Sequence, residues 1–351
     1  MKLNGFEMIR LAVQSMIDGG VDDIYAVTGR EGGRVKDVLQ GMGENSLSFI
    51  ENRDFKTTDM LYSVQLGLGT LMKREATTKP TVDAVLIIPG DIPAINPQTV
   101  VALRERAQQT DAKVICPTHA QKKGHPLIVK EDCFAAVYSH KGEGGLKQAL
   151  DSFPTEFLEV SDEGILLDAD DPEGFEQLEH YVRTTKGVSE EVVDELFNTH
   201  QTLPNIRAHC RAVAALTARM VRALNARGYG LDSALCYSAA LLHDLNRVQK
   251  HHAQVAADNL RSVGYNALAE IVARHNDSLE LGEQVFTEAN VVFLADKLVQ
   301  ETSFVTLDVR YAQALEKFPE STEIGKHILQ DKERCQILLD RYIEATGGRE
   351  V

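Results

Sequence analysis

At 351 residues the chain is long enough for two domains, and its 43% hydrophobic and 25% charged residues are those of an ordinary globular protein. The formal net charge of −15 argues against a broad basic face for nucleic acid, although one local cationic pocket can still hold a nucleotide. No apolar run approaches the roughly 20 residues needed to span a bilayer, and Met1-Lys2-Leu3-Asn4-Gly5 does not lead into an apolar signal core.

In chain order, Phe6–Ile17 carries apolar residues at helical spacing (Met8, Leu11, Ala12, Met16) and stops at Gly19-Gly20. Asp23–Thr28 reads as a strand, Gly32–Leu39 as a helix, Leu47–Ile50 as a strand and Thr58–Leu71 as a helix. Gly29-Arg30-Glu31-Gly32-Gly33 reads as a turn. Asp83–Pro89, rich in Val and Ile, has the pattern of a strand buried on both faces. This alternation predicts an α/β domain with a parallel sheet. Ile165–Leu167 reads as a further strand, followed by a helix from Pro172 that Asp170 can cap. Thr185-Lys186-Gly187-Val188 breaks the pattern, which divides the chain into 1–186 and 187–351.

The second part reads as helical throughout, an all-α bundle with no strand. Ser189 with Glu190 and Glu191 looks like a capped helix start, and Pro204 opens a long helix to Ala226. Its apolar stripe (Val213, Leu216, Met220, Leu224) places His209 on the inward side. Asp232 caps Ser233–His243. Lys250–Val263 carries His252, Ala267–His275 ends in His275, and Thr287–Glu301 carries Asp296. Glu323–Thr346 is amphipathic (Ile324, Ile328, Leu338, Tyr342) and is expected to cover the bundle, with a homodimer contact as the alternative. The five cysteines (Cys116, Cys133, Cys210, Cys236, Cys335) form no C-x-x-C pair and read as reduced, buried thiols of a cytoplasmic protein.

Ligands of α/β sheets sit beyond the carboxyl ends of the strands, where Gly90-Asp91-Ile92-Pro93 falls. An aspartate there can hold a divalent cation, yet Gly, Asp and Pro also make turns. Three more pieces stand in order: Asn52 with Ser63 and Gly67, then Gly124-His125-Pro126, then Asp168-Ala169-Asp170-Asp171-Pro172-Glu173. Over roughly residues 1–180 this order resembles the MobA-like nucleotidyltransferases, which include the molybdenum-cofactor cytidylyltransferases. The resemblance implies a Rossmann-like nucleotidyltransferase fold using CTP or GTP. It also implies Asp91 as a Mg²⁺ ligand, Gly124, His125 and Pro126 as a substrate loop, and Asp168 or Asp170 as a second acidic contact. The family opens with a strand and a glycine-rich phosphate loop, and Met1–Gly5 resembles the segment just after that loop. Either the native start lies further upstream or the domain persists as a scaffold; the retention of Asp91, His125 and Asp168 favours the first.

His243-Asp244 puts two metal-ligand types at one point of the backbone. The order His209…His243-Asp244…His252…His275…Asp296 resembles the HD-domain metal-dependent phosphohydrolases. The resemblance implies one ion held by His209, His243, Asp244 and Asp296, and room for a second held by Asp244, His252 and His275. Neutral imidazole with carboxylate suits Mn²⁺, Fe²⁺, Ni²⁺ or Zn²⁺. Asn276 stands where some two-metal relatives carry another histidine, and Asn246 where a glycine is common. Arg247 takes the position of the basic residue in H-D-x-x-K, where a cation can bind phosphate; a solvated helix-end charge is the alternative. Lys250 and Lys297 are further cations, and His251 is expected to face solvent. The expected activity is metal-dependent hydrolysis of a nucleotide or other phosphoester, with Asp244 and Arg247 catalytic and neither nucleic acid nor membrane as partner. The alternatives are a nucleotidyltransferase regulated by its HD part, and a nucleotide sensor without turnover.

Overall fold

The computed structural model describes residues 1–42, 46–75, 82–275 and 286–348. The chain forms two compact units, one of Met1 with Glu7–Leu178, the other of Lys2–Phe6 with Glu179–Val351. The division falls eight residues before the expected join at 186/187, inside a helix. No helix among the described residues is long and apolar enough to cross a membrane.

Two-residue strands β1 (Lys2–Leu3) and β2 (Phe6–Glu7) open the chain. The first unit contains α1 (Met8–Asp18), β3 (Asp23–Thr28), α2 (Gly32–Gln40), β4 (Ser46–Glu51), α3 (Met60–Glu75) and β5 (Ala84–Ile87). α4 (Pro97–Gln109) begins at a proline, with Asn96 accepting a hydrogen bond from the Gln98 N–H. β6 (Val114–His119), β7 (Lys122–Lys123), β8 (Leu127–Lys130), α5 (Phe134–Ser139), α6 (Gly145–Leu150), β9 (Thr155–Glu159) and α7 (Pro172–Thr185) follow.

The α/β class holds, but β3 and β4 form a two-stranded sheet of their own, and the five-stranded sheet of β5, β6, β7, β8 and β9 is mixed. β3 and β4 pair in parallel, as do β6 and β9, whereas β8 runs antiparallel to both β5 and β6. The cause is local. Ala120 and Gln121 both take positive φ (+48° and +66°), a two-residue primed turn that reverses the chain between β6 and β7. A parallel neighbour would need a crossover of a dozen residues or more.

Two further expectations give way. β5 is half-buried, whereas Ile115 in β6 and Val129 in β8 are fully buried. Ile165–Leu167 is not a strand: Glu163–Leu166 is a 3-10 turn, started by Asp162, whose carboxylate accepts from the Gly164 N–H. The strand in that region is β9, whose Thr-Glu-Phe-Leu-Glu sequence alternates exposed and half-buried residues.

The second unit contains α8 (Glu190–Thr199), α9 (Pro204–Asn225), α10 (Ser233–Leu242), α11 (His252–Ser262), α12 (Asn266–Arg274) and α13 (Glu288–Lys297). Val213, Met220 and Leu224 of α9 are fully buried, in one core with Ala239, Leu260, Val272 and Leu294. Asp232 caps α10 by accepting from the Leu235 N–H. Ser189 occupies the start of α8, but its buried hydroxyl makes no capping bond.

Against expectation, this unit holds a small antiparallel hairpin, β10 (Val299–Gln300) with β11 (Ser303–Phe304). After it come α14 (Leu307–Lys317) and α15 (Glu323–Thr346). α15 buries Cys335, Leu338 and Tyr342 in the bundle core, so it covers the bundle; Ile324, expected on that buried side, is 53% exposed. All five cysteines are buried, and none is in a disulfide.

Candidate metal centre

α10 is apolar along most of its length and buries Leu235, Ala239 and Leu242. It ends at His243, whose Nδ1 lies 2.7 Å from the Ala240 carbonyl. His275, at the end of α12, repeats the arrangement with Nδ1 2.7 Å from the Val272 carbonyl. His209 on α9 sets Nδ1 2.9 Å from the Glu301 carbonyl, in the turn of the β10–β11 hairpin. A carbonyl can only accept, so each Nδ1 carries a proton, and when the ring is neutral its Nε2 presents a lone pair. Metal-bound histidines are oriented in this way.

Those lone pairs converge. Asp296 Oδ1 lies 3.2 Å from His209 Nε2 and 3.5 Å from His243 Nε2, and Asp244 Oδ2 lies 3.6 Å from His243 Nε2. The other oxygen of Asp244, Oδ1, lies 3.2 Å from His252 Nε2 and 3.5 Å from His275 Nε2. Two sets with metal-ligand spacing result, His209–His243–Asp244 and Asp244–His252–His275, sharing one carboxylate. The rings step from one to the other, with centroids 5.1 Å apart for His243 and His275 and 5.3 Å for His252 and His275.

The Nε2 atoms of His243 and His275 are buried without a hydrogen-bond partner. A buried unpaired polar atom costs about 1–3 kcal/mol. Two of them flanking a shared carboxylate fit a divalent cation, which takes such lone pairs. Nitrogen and oxygen donors in this mixture suit a first-row transition ion.

The charges are strongly coupled. Burial alone would raise the Asp244 carboxyl, but the neighbouring His275 and the charges of His243 and Arg247 hold it well below the carboxylate range. Asp296 is likewise held low: burial opposes ionisation, and Lys297, His209 and His243 outweigh it. His243 moves up, since Cys210, Asp296 and Asp244 outweigh its burial. His252 moves down through burial, with Asp244 opposing and Arg247 reinforcing the shift.

Arg247 lies in the turn after α10. Its Nη1 is 3.3 Å from Asp244 Oδ1 and 3.1 Å from His252 Nε2, with the side chain 49% exposed. Lys297 Nζ sits 3.2 Å from Asp296 Oδ2. Asn246 is buried, and its carbonyl accepts from Asn259 Nδ2 at 3.1 Å. Lys250 is exposed, as is His251, which sits in a left-handed conformation at the start of α11 rather than within it. Asn276 lies outside the described residues. Sequence reasoning missed the Glu301 carbonyl, a backbone group with no sequence mark, and the Cys210 thiol against His243. The position of Cys210, beside His209 on α9, was its one signal.

In the first unit, Asp91 lies within electrostatic reach of Asp170 and Asp168. Burial first, then those two carboxylates, push its pKa up. His125 is pushed down by burial, with the Ile87 carbonyl and Asp91 opposing, and its Nδ1 is buried without a partner. The Gly124-His125-Pro126 loop is fastened to the 3-10 turn: the His125 N–H donates to the Ile165 carbonyl, and a Cβ on Gly124 would lie 2.6 Å from that oxygen. Only glycine fits there. Among the described residues no set with metal-ligand spacing includes Asp91. Asp170 does not cap α7; Asp171 does, accepting from the Gly174 N–H at 2.8 Å. Asn52 is a local brace, donating to Thr58 and Ser63 hydroxyls.

A sequence profile of the MobA-like NTP transferase domain matches residues 1–157, and one of the HD domain matches residues 206–300. The chain joins a MobA-like NTP transferase domain to an HD domain. All five residues of the two ligand sets, and Asp296 beside them, fall inside the HD span, whereas Asp168 and Asp170 lie beyond the transferase span. The uncharacterized protein MJ0778 of Methanocaldococcus jannaschii is 31% identical over 121 residues, which is 30% of this chain and 72% of its own. The bifunctional protein GlmU of Staphylococcus carnosus is 30% identical over 127 residues, 36% of this chain but 25% of its own. Among solved structures, a nucleotidyl transferase from Methanothermobacter thermautotroptrophicus is 23% identical, covering 52% of this chain and 84% of its own with a TM-score of 0.42. Rv0371c of Mycobacterium tuberculosis, in complex with manganese, is 17% identical over 50% of this chain and 89% of its own, with a TM-score of 0.40.

Proposed function

We propose that the HD domain hydrolyses a phosphate ester or anhydride, a nucleotide in the first instance, using one or two divalent transition ions (Mn²⁺, Fe²⁺, Ni²⁺ or Zn²⁺). The observation that carries this reading is the pair of buried, unpartnered Nε2 atoms on either side of Asp244. His209, His243, Asp244 and Asp296 would hold one ion, and Asp244, His252 and His275 a second. Ions bound there would make water more acidic and offset charge on phosphoryl oxygens. The protein does the rest. Asp244, held ionised, keeps both oxygens available at once. Backbone carbonyls of Glu301, Ala240 and Val272 lock three imidazoles in the ligand tautomer. Arg247, half-exposed beside Asp244, offers a fork of N–H donors to a phosphate.

Phosphate release from a panel of nucleotides and phosphomonoesters, assayed with Mn²⁺-loaded protein, tests the reading. Release that disappears in His243→Ala supports it; release that survives places the hydrolysis elsewhere. A second reading, nucleotidyl transfer by the first unit, draws on Asp91, which interacts with Asp168 and Asp170 and also with His125.

A further inference from the structure

Three atoms form a nearly regular triangle at the second ligand set. Asp244 Oδ1 and His252 Nε2 are 3.2 Å apart, and Arg247 Nη1 is 3.3 Å from the first and 3.1 Å from the second. His252 accepts here, since an arginine nitrogen can only donate. An ion bound to that oxygen and that nitrogen would sit about 2.0–2.2 Å from each. Wherever it lies around the pair, it comes within about 4 Å of Arg247 Nη1, because its two ligands are also the two contacts of the guanidinium. Two cations cannot share this position without strong repulsion in a partly buried site. The guanidinium is not trapped there: it sits on a turn, its side chain is 49% exposed, and its stem can rotate outward.

We infer that Arg247 is a built-in competitor for the second cation, an internal positive charge that holds Asp244 Oδ1 and His252 Nε2 until it is displaced. The inference rests on the metal reading proposed above and adds to it. Arg247 sets how many ions the site holds, and its contacts are with Asp244 Oδ1 and His252 rather than with the oxygen that Asp244 turns to His243. The His209–His243–Asp296 side carries its own cation, Lys297, on the Asp296 oxygen turned away from the histidines, so the two sides differ in kind. Lys297 contacts Oδ2 while Oδ1 serves His209 and His243. Arg247, by contrast, contacts the same Oδ1 that serves His252 and His275.

Mn²⁺ binding to the full chain, measured by equilibrium dialysis over a range of free Mn²⁺, tests the inference. In the native protein one ion binds tightly and the second weakly. Arg247→Gln is expected to tighten the second ion by about tenfold or more while the first keeps its native affinity, which also serves as the check on folding. Arg247→Lys, with the charge retained, is expected to stay near the native value. Adding His252→Ala to Arg247→Gln removes the tightened ion and so locates it. Unchanged or weaker second-ion binding in Arg247→Gln, with the first ion intact, overturns the inference alone. If no variant and no native protein binds Mn²⁺, the metal reading falls and the inference with it.

Discussion

Asp244 turns Oδ2 toward Nε2 of its neighbour His243, 3.6 Å away, and so leaves Oδ1 for His252 and His275. One carboxylate thereby belongs to both ligand sets. Removing it should release both ions, whereas removing His275 should weaken only the second. Asp244→Ala is expected to reduce affinity for the first ion beyond the roughly 10–100-fold that loss of an outer hydrogen-bond partner costs. Mn²⁺ dialysis compares the two variants, and equal losses in both would contradict the shared role of Asp244.

Metal uptake should depend on pH with a definite sign. A ligating imidazole must be neutral. In the metal-free protein, although burial opposes it, Cys210, Asp296 and Asp244 raise the His243 pKa above its ordinary value, so an incoming ion must displace a proton. Affinity is expected to rise with pH through the neutral range and to fall below it, with proton release on binding. The folded state holds that proton more tightly than the unfolded chain. Its contribution to the stability of the metal-free protein is therefore full below the unfolded pKa and lost as pH rises through the folded one. Calorimetry in buffers of different ionisation enthalpy reads the proton release, and affinity that falls as pH rises would contradict the assignment.

How much of this could be read from the chain differs by feature. The span Glu323–Thr346 is both expected and observed as a helix, because its apolar spacing is long and regular. That the His and Asp side chains from His209 to Asp296 come together was legible because side-chain type and spacing carry it. The reversal at β8 was not: Leu-Ile-Val looks the same in parallel and antiparallel strands, and its turn, Ala120-Gln121, lacks the glycine or asparagine that marks such turns. The Glu301 carbonyl that orients His209 is backbone and leaves no sequence trace. The side-chain placement of Arg247 depends on the turn after α10, which residue type alone does not fix.

A second buried charge cluster makes a stability prediction. Lys186 Nζ lies 3.1 Å from Asp232 Oδ2, their side chains only 8% and 13% exposed, and the Asp232 N–H donates to Glu288 Oε1 at 3.2 Å. Lys186→Met leaves two acidic groups without their nearby cation and is expected to cost about 3–5 kcal/mol. Denaturant unfolding measures it, and a loss below about 1 kcal/mol would contradict the buried-pair reading.

Glu288 should behave in the opposite way. Burial raises its pKa, with Asp232 adding to the shift and backbone N–H groups and Lys186 opposing it. A raised carboxyl contributes stability that is full below the unfolded pKa and lost as pH rises through the folded value. Near pH 7 its charge is therefore a burden, and Glu288→Gln is expected to raise Tm there while changing little in acid. A lower Tm at pH 7 would show that the charge is needed.

The two candidate sites draw on different units of the chain, so their effects should separate. Asp91→Ala is expected to remove any nucleotidyl transfer and to leave phosphate release by the HD domain within about twofold, as independent sites should. Assaying both activities in one variant checks this, and loss of both together would contradict it.

The most direct test of metal-dependent hydrolysis at this site is phosphate release by the full chain, stripped of metal by a chelator and then given back Mn²⁺ or Fe²⁺. The expected result is no release when stripped, release on return of the ion, and none from Asp244→Ala under the same conditions. Release from the stripped protein, or undiminished release from Asp244→Ala, would contradict the assignment.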